Sequence, residues 1–512
     1  MDLSAALRDA VLAARRRPAD LLPFYVLAAA IPVIARTVSF VGFAAIYAYL
    51  SFTGRTERVR SALADRDLPA MPDPETEPEA FGRWASEVGA VLEPLFDPVV
   101  AVLLAVTIVL ALAVTVLLHA GVAAGQYAVC LARLRDERAT LAGIGGVRSH
   151  WLSILVLSLL EFAVWIAVTL VAGVAIAVAA VVHPILAVLV GLVAFLVWTV
   201  LLLATRAVLA FAPVSVVVDD VGPLDGVAGA MAFIGANPAE ALGYYALAVA
   251  SLFLLASAAG VASFVGAPSV VGLASLLVLA PGLDLIKTGL LGRWRGVVGF
   301  PDPNSPVDSS TRSDPPLVAV RGGVRNGLSE VLGFVRAAPG LHALVLLVGV
   351  AGFATGWNAA EPLAGVVTAS ILDRLSGHVP PVAALEFFAN NLTVALGTAL
   401  AGVALGVPSI VAIWFNGFAF GIIFRLEVEL PALLAFVLPH GVLEIPALIV
   451  SGALGLHLAR SGWRTWRGRA SRESLAEDLV YAIRVLVGVG ILLFLAGLIE
   501  GFLSPYYFRP FL

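Results

Sequence analysis

The chain has 512 residues, 60% of them hydrophobic and 13% charged, with a net charge of −4 and a mean hydropathy of +1.00. A soluble domain carries roughly 25% charged residues, so this supply excludes a water-soluble globular enzyme of such length. No basic patch interleaved with aromatics is present, which argues against nucleic acid as a partner.

Taken in chain order, Met1–Arg17 reads as a short amphipathic helix on the membrane surface. Arg15, Arg16 and Arg17 precede an apolar run that is too long, and too poor in cleavage-site residues, for a removable signal peptide. Apolar runs beyond about 18 residues read as bilayer spans. The first is Leu21–Phe52, which contains Arg36 and is long enough to tilt or to extend along the interface. The polar stretch Thr53–Gly89, with Pro72-Asp73-Pro74-Glu75, reads as an extramembrane loop holding one short helix. Spans follow at Val99–Ala123, Leu152–Val182, Ile185–Phe211, Ala241–Val265 and Val270–Leu291, with a tight hairpin at His183–Pro184 and a turn-rich exit at Val218–Asp225. The single cysteine, Cys130, excludes a disulfide framework and a cysteine-based zinc site; it reads as a small buried apolar residue.

Around Pro301–Pro316, Pro, Asp, Ser and Asn displace apolar residues. Residues 299–316 therefore read as a linker between a membrane domain of about six spans (residues 1–298) and a second of about five spans (residues 317–512). The second domain offers Leu341–Trp357, Phe387–Leu405, Ser409–Phe424, Leu430–Ala459 and Leu479–Phe502. The fold class is an all-α polytopic transmembrane helical bundle of about eleven spans in two membrane domains. Basic residues cluster at Arg15–Arg17, at Arg133/Arg135/Arg138/Arg148, at Lys287/Arg293/Arg295 and at Arg460/Arg464/Arg467/Arg469/Arg472, all on one side of this topology. The expected orientation has that side and the N-terminus in the cytoplasm and the C-terminus outside, in the cell membrane.

Polar residues are costly in hydrocarbon and mark the places where function would show. The second half holds Gly356-Trp357-Asn358 with Glu361, then Glu386-Phe387-Phe388-Ala389-Asn390-Asn391, then Asn416-Gly417, then Pro439-His440-Gly441 with Glu444, and last Glu500. The candidate polar core is Asn390, Asn391, Asn416, Gly417, His440, Gly441, Glu444 and Glu500. His440 and Glu444 share a helix face. Their spacing allows a proton relay, half of a metal site, or a pair that pins helices together by hydrogen bonds. The last is the preferred reading. Further ligands for a metal are sparse (His457, Glu500, Asp373), so no metal, cofactor or catalytic residue is assigned. Pro439 and Gly441 are expected to break or kink the helix at His440. Gly402 with Gly406, and Gly417 with Gly421, have the spacing of close helix contacts. In the first half, Glu161 and Arg206 lie within spans. They either pair, or Arg206 snorkels to the interface, which is the expectation. No phosphate loop, nucleophile elbow or dinucleotide fingerprint occurs.

The order Phe388…Asn390-Asn391, Phe415-Asn416-Gly417…Gly421, Leu438-Pro439-His440-Gly441…Glu444, Ile499-Glu500-Gly501-Phe502 resembles the stage II sporulation protein M family, over about Leu317–Pro510. The resemblance implies a five-span membrane domain. It also implies a membrane anchor or scaffold, since the family's namesake acts beside partners that degrade peptidoglycan without being the hydrolase. The six-span domain ahead of it departs from the simple family pattern. Arg15–Pro23 and Phe211-Ala212-Pro213-Val214…Gly222 resemble uncharacterised six-span domains of haloarchaea, and the Arg17-Pro18 pattern recurring at Asn237-Pro238 suggests an internal duplication. The expected function is a non-enzymatic scaffold or anchor of a membrane or envelope complex, with membrane lipids and envelope proteins as partners. The alternative is a transporter or channel with a midplane site at His440 and Glu444.

Overall fold

The computed structural model describes residues 3–64, 77–298, 316–364, 367–375 and 377–511. Most of the expected linker, and the side chain of Asp373, lie outside the described residues. Helices dominate, because a chain surrounded by lipid must satisfy its backbone groups within each segment. Among the described residues there is no strand, only the isolated bridges Ala364–Val367 and Ala369–Glu427.

Among the described residues, eleven helical stretches are long and apolar enough to cross a bilayer, in the order read from the sequence. The first half contains α1 (Leu3–Arg16), α2 (Pro18–Leu27), α3 (Ala30–Phe52), α4 (Arg55–Ala64), α5 (Pro78–Leu92) and α6 (Pro98–Leu134). It continues with α7 (Ala139–Val182), α8 (Pro184–Asp219), α9 (Pro223–Ala236), α10 (Pro238–Val265), α11 (Pro268–Ala274) and α12 (Ala280–Trp294). The second half contains α13 (Pro316–Ala337), α14 (Pro339–Ala359), α15 (Ile371–Arg374), α16 (Pro380–Ala401), α17 (Val407–Leu426), α18 (Leu430–Trp466), α19 (Arg472–Phe502) and α20 (Ser504–Tyr507). The first span is α2 with α3, and the sixth is α11 joined to α12 through a π-helical turn at Ser275–Leu279.

Proline opens many of these helices, where its missing N–H costs no hydrogen bond. It also sets a recurrent elbow. Arg17, Asn237 and Ala338 each precede a proline with nearly the same backbone, φ/ψ of −146/70, −134/58 and −135/52 degrees, because a residue before proline is driven out of the helical region. Each elbow joins a preceding helix (α1, α9 or α13) to a span. The elbow seen at Arg17 and Asn237 therefore recurs at Ala338, and the same backbone precedes Pro78 at Glu77 and Pro268 at Ala267.

Several spans are longer than their apolar runs. The 44 residues of α7 begin at Ala139, well before the apolar run at Leu152. At about 1.5 Å per residue they exceed a roughly 30 Å hydrocarbon layer, so the turns carrying Arg148 and His150 project beyond it. Among its described residues, the polar stretch after α3 holds two short helices, α4 and α5, rather than one.

α1 is amphipathic as expected, but it lies against protein. Its alanine face buries Ala6, Ala10 and Ala13, Asp9 pairs with Arg293 of α12, and the helix packs on α6 and α12. A face of alanines offers little area to lipid and allows close helix approach.

Two cores run through the bundle. One gathers α1, α2, α6–α10 and α12 around Tyr25, Phe211, Phe233 and Leu290. The other gathers α13, α14 and α16–α19 around Ala399, Leu454 and Val489. The first span belongs to both: Leu21, Phe24 and Tyr25 pack in the first core, while Val26, Ala30 and Ile34 pack in the second. By contrast, the outer faces of α7, α8 and α10 are exposed apolar surface suited to lipid.

Candidate functional site

The densest polar convergence lies between α18 and α19, near the end of the bundle opposite the arginine clusters. His440 and Glu444 are one turn apart on α18, and Glu500 comes from the last turn of α19. One ligand-type atom from each of the three lies within 4.8 Å of the other two. His440 Nδ1 lies 3.1 Å from Ser504 Oγ, and Nε2 faces Glu500 Oε1 at 3.9 Å. His440 is 5% exposed and Glu444 9%, and Glu500 Oε2 is a buried oxygen without a partner. Above them Phe436 meets the His440 ring edge-on at 5.5 Å and packs on Phe508, closing a small apolar cap with Ile371 and Leu433. The break expected at Pro439 and Gly441 does not occur: α18 runs unbroken from Leu430 to Trp466, with Pro446 inside it as well. A membrane helix tolerates proline where neighbours and local adjustments re-satisfy the freed carbonyls.

The asparagines of the candidate core do not join this cluster. Asn390 is exposed on α16 and donates to its neighbour Asn391 at 3.3 Å. Asn416 donates to the Ala412 carbonyl of its own helix at 2.8 Å, and Asn358 does the same to Ala354 at 2.8 Å. Glu361 pairs with Arg425 across the α14–α17 contact at 3.4 Å.

The glycines divide as well. A Cβ at Gly417 or Gly421 would overlap the carbonyl oxygen of Gly349 or Phe353, and one at Gly352 or Gly356 would overlap Trp414 or Phe418. α14 and α17 therefore touch backbone to backbone, the arrangement that small residues permit in a membrane. Gly402 meets the Gly455 carbonyl of α18 in the same way. Gly441, in contrast, has only its own helix's Val437 and Ile445 within reach of a Cβ, at 3.4 and 3.7 Å.

A second polar network is present in the first core, and sequence reasoning missed it. Tyr25, fully buried, donates to Asp284 Oδ2 at 3.0 Å and lies 3.1 Å from Cys130 Sγ. Asp284 pairs with Lys287 at 2.9 Å, and Lys287 donates to Tyr127 at 3.0 Å. Lys287, the only lysine of the sequence, does not belong with the surface cluster of Arg293 and Arg295; its side chain is 10% exposed. Its spacing from Asp284, three residues along one helix, was the available signal. Glu161 and Arg206 also pair, at 3.1 and 3.2 Å through both carboxylate oxygens, so Arg206 does not snorkel alone. The tight hairpin at His183 brings α7 and α8 side by side and makes that pair possible.

A model of the Stage II sporulation protein M family matches residues 343–505. The matched segment runs from α14 to the start of α20 and contains His440, Glu444, Glu500 and Ser504. The resemblance read from the C-terminal residues is thus found independently, and the protein is a multi-pass membrane protein with a domain similar to that family. The match does not reach the first six spans. No curated protein and no solved structure matches the chain.

Proposed function

We propose that the protein is a non-enzymatic scaffold or anchor of a complex in the cell membrane. Its arginine-bearing end would face the cytoplasm, and the end carrying Ser504 would face outward. The observation that carries this reading is the glycine-mediated packing of the second half. α14 lies on α17, and α16 on α18, at backbone contact, which leaves little room for a solute path along those seams. Asn390 and Asn416, the amides available to a polar path, spend their hydrogen bonds locally and not on His440 or Glu444. The exposed apolar faces of α7, α8 and α10 suit lipids and lateral partners. The transporter reading retains one supporting feature, the buried cluster of His440, Glu444 and Glu500, because intramembrane ionisable groups are a frequent device of proton coupling.

Two measurements on the full-length protein separate these readings. Purification in mild detergent followed by mass spectrometry should return stable membrane or envelope partners. Reconstitution into proteoliposomes should give no proton or ion flux above empty vesicles. A protein that purifies alone and conducts, with flux abolished by His440→Ala, would replace the scaffold by a transporter.

A further inference from the structure

We propose that His440, Glu444 and Glu500 form a binding site for one divalent transition-metal ion, with Zn2+ as the representative cation. The three side chains come from two helices, and each presents a donor atom within 4.8 Å of the others. Around a tetrahedral zinc, with bonds of about 2.0–2.2 Å, donor atoms lie roughly 3.3–3.6 Å apart. Side-chain adjustments of about 1 Å would close the set.

Three features of the cluster point to a cation. First, two carboxylates are placed together in an interior where, among the described residues, no arginine or lysine pairs with them. Buried charges are expected to be paired or to coordinate metals, and two carboxylates with a neutral imidazole match the charge of a divalent ion. Second, Glu444 is nine-tenths buried and makes no hydrogen bond or ion pair among the described residues, and Glu500 Oε2 is buried and unpartnered. Hydrogen bonds therefore do not explain this pair of carboxylates. Third, the imidazole is already oriented. With its proton on Nδ1, His440 donates to Ser504 Oγ at 3.1 Å, which leaves the Nε2 lone pair facing Glu500. Metal-binding histidines characteristically give their other ring nitrogen such a partner. One imidazole nitrogen with two carboxylate oxygens suits zinc, manganese or iron better than magnesium or calcium, which prefer all-oxygen sets. The ion would staple α18 to α19 beneath the Phe436–Phe508 cap, and three protein ligands would leave one coordination position open.

The test uses the full-length protein in detergent, stripped with chelator and dialysed against Zn2+, with bound metal measured by mass spectrometry. Wild type should bind one equivalent, and Co2+ in its place should give the visible absorption of a bound, low-symmetry ion. Glu444→Gln and Glu500→Gln should each weaken binding at least tenfold, and His440→Ala should abolish it. Ser504→Ala keeps all three ligands and frees the ring, so it should weaken binding about 10–100-fold. Because the wild-type measurement needs no variant to fold, a wild type that holds no stoichiometric metal overturns the site. Folded Glu444→Gln and Glu500→Gln proteins that bind as tightly as wild type overturn it equally.

Discussion

Glu386 of α16 accepts hydrogen bonds from both the backbone N–H and the hydroxyl of Ser269, at 2.8 and 2.5 Å, across 117 residues of sequence. It thereby supplies, from the second half of the chain, the N-terminal cap of α11 in the first half. Further along α16, a Cβ at Gly397 would lie 2.9 Å from the Ala29 carbonyl oxygen of the first span. α16 is therefore the central helix of the seam between the two halves, beside contacts of α17 with α3 and of α19 with α2 and α7, and the first span is wedged into both cores.

A consequence can be measured by placing a protease site within residues 301–316 and cutting the purified protein. The two fragments should co-elute in mild detergent. Hydrogen bonds to a charged group contribute about 1.5–3 kcal/mol, so Glu386→Ala alone should lower the apparent melting temperature and leave the fragments together. Glu386→Ala combined with Gly397→Leu should let them separate. Fragments that part in the cut wild type would mean that the seam is not a stable interface.

Gly417 and Gly441 were read from the sequence as members of one set, yet their surroundings predict opposite outcomes. At Gly417 an added methyl must displace the Gly349 backbone of α14, and overpacking costs typically about 1–3 kcal/mol, more where the neighbour is rigid. Gly417→Ala should lower thermal stability clearly, and Gly417→Leu should abolish recovery of folded protein. At Gly441 a methyl meets only side chains of its own helix at 3.4 Å or more. There the gain in helix propensity of about 0.5–1 kcal/mol should make Gly441→Ala neutral or stabilising. Thermal unfolding in detergent, followed by circular dichroism, checks both; equal losses at the two positions would contradict the α14–α17 contact.

Asp97 gives the pH dependence of the segment outside the membrane. It caps α6 by accepting from Val99 N–H at 2.6 Å, accepts from the Tyr49 hydroxyl at 3.1 Å and pairs with Arg55. The Val99 bond, with help from Tyr49 and Arg55, holds its carboxyl below the usual carboxylate range. A carboxyl depressed in the folded state stabilises above its unfolded pKa of about 3.9 and loses that contribution as pH falls through the folded value. Protection of residues 55–64 and 77–97 from an acid-active protease, scaled at each pH to a denatured control, should therefore hold at pH 5 and fail only in stronger acid. Asp97→Asn should already be cleaved faster at pH 5, and a variant as resistant as wild type would remove Asp97 as the tether.

The spans were legible because an apolar run long enough for a bilayer is a local property, readable without knowing any neighbour. The ends were less so, since α7 continues back through His150 and Arg148 to Ala139, where Asp20 accepts from the Ala139 and Thr140 N–H groups, a contact from 119 residues away that no apolar run announces. At the candidate site, His440 and Glu444 were legible as a pair from helical spacing, and Glu500 as a costly residue within a span. Ser504 was not, because its importance comes from chain reversal after α19 rather than from its own sequence context. Asn390 and Asn416 illustrate the opposite failure. They look as costly as His440 in sequence, but an amide can satisfy itself on its own helix or on its neighbour, whereas a buried carboxylate cannot. Lys287 was misplaced because snorkelling depends on which way a helix faces, and its partner Tyr127 is 160 positions away, beyond any local pattern.

That buried network supports a last prediction. Asp284 and Lys287 expose 15% and 10% of their side chains, and the Tyr25 hydroxyl and Tyr127 complete their shell. Removing one member of a buried ion pair leaves the other charge uncompensated, at a cost of about 3–5 kcal/mol, while replacing both by apolar groups is often close to neutral. Lys287→Met and Asp284→Leu should each destabilise the protein strongly, and the double variant should be more stable than either single one. Tyr25→Phe, which removes one donor to the carboxylate, should cost about 1–3 kcal/mol. Unfolding of the four variants and wild type in one detergent gives the coupling energy directly. Additive losses in the double variant would mean that the two charges act separately, and that the only lysine of the chain is held in the core by something other than Asp284.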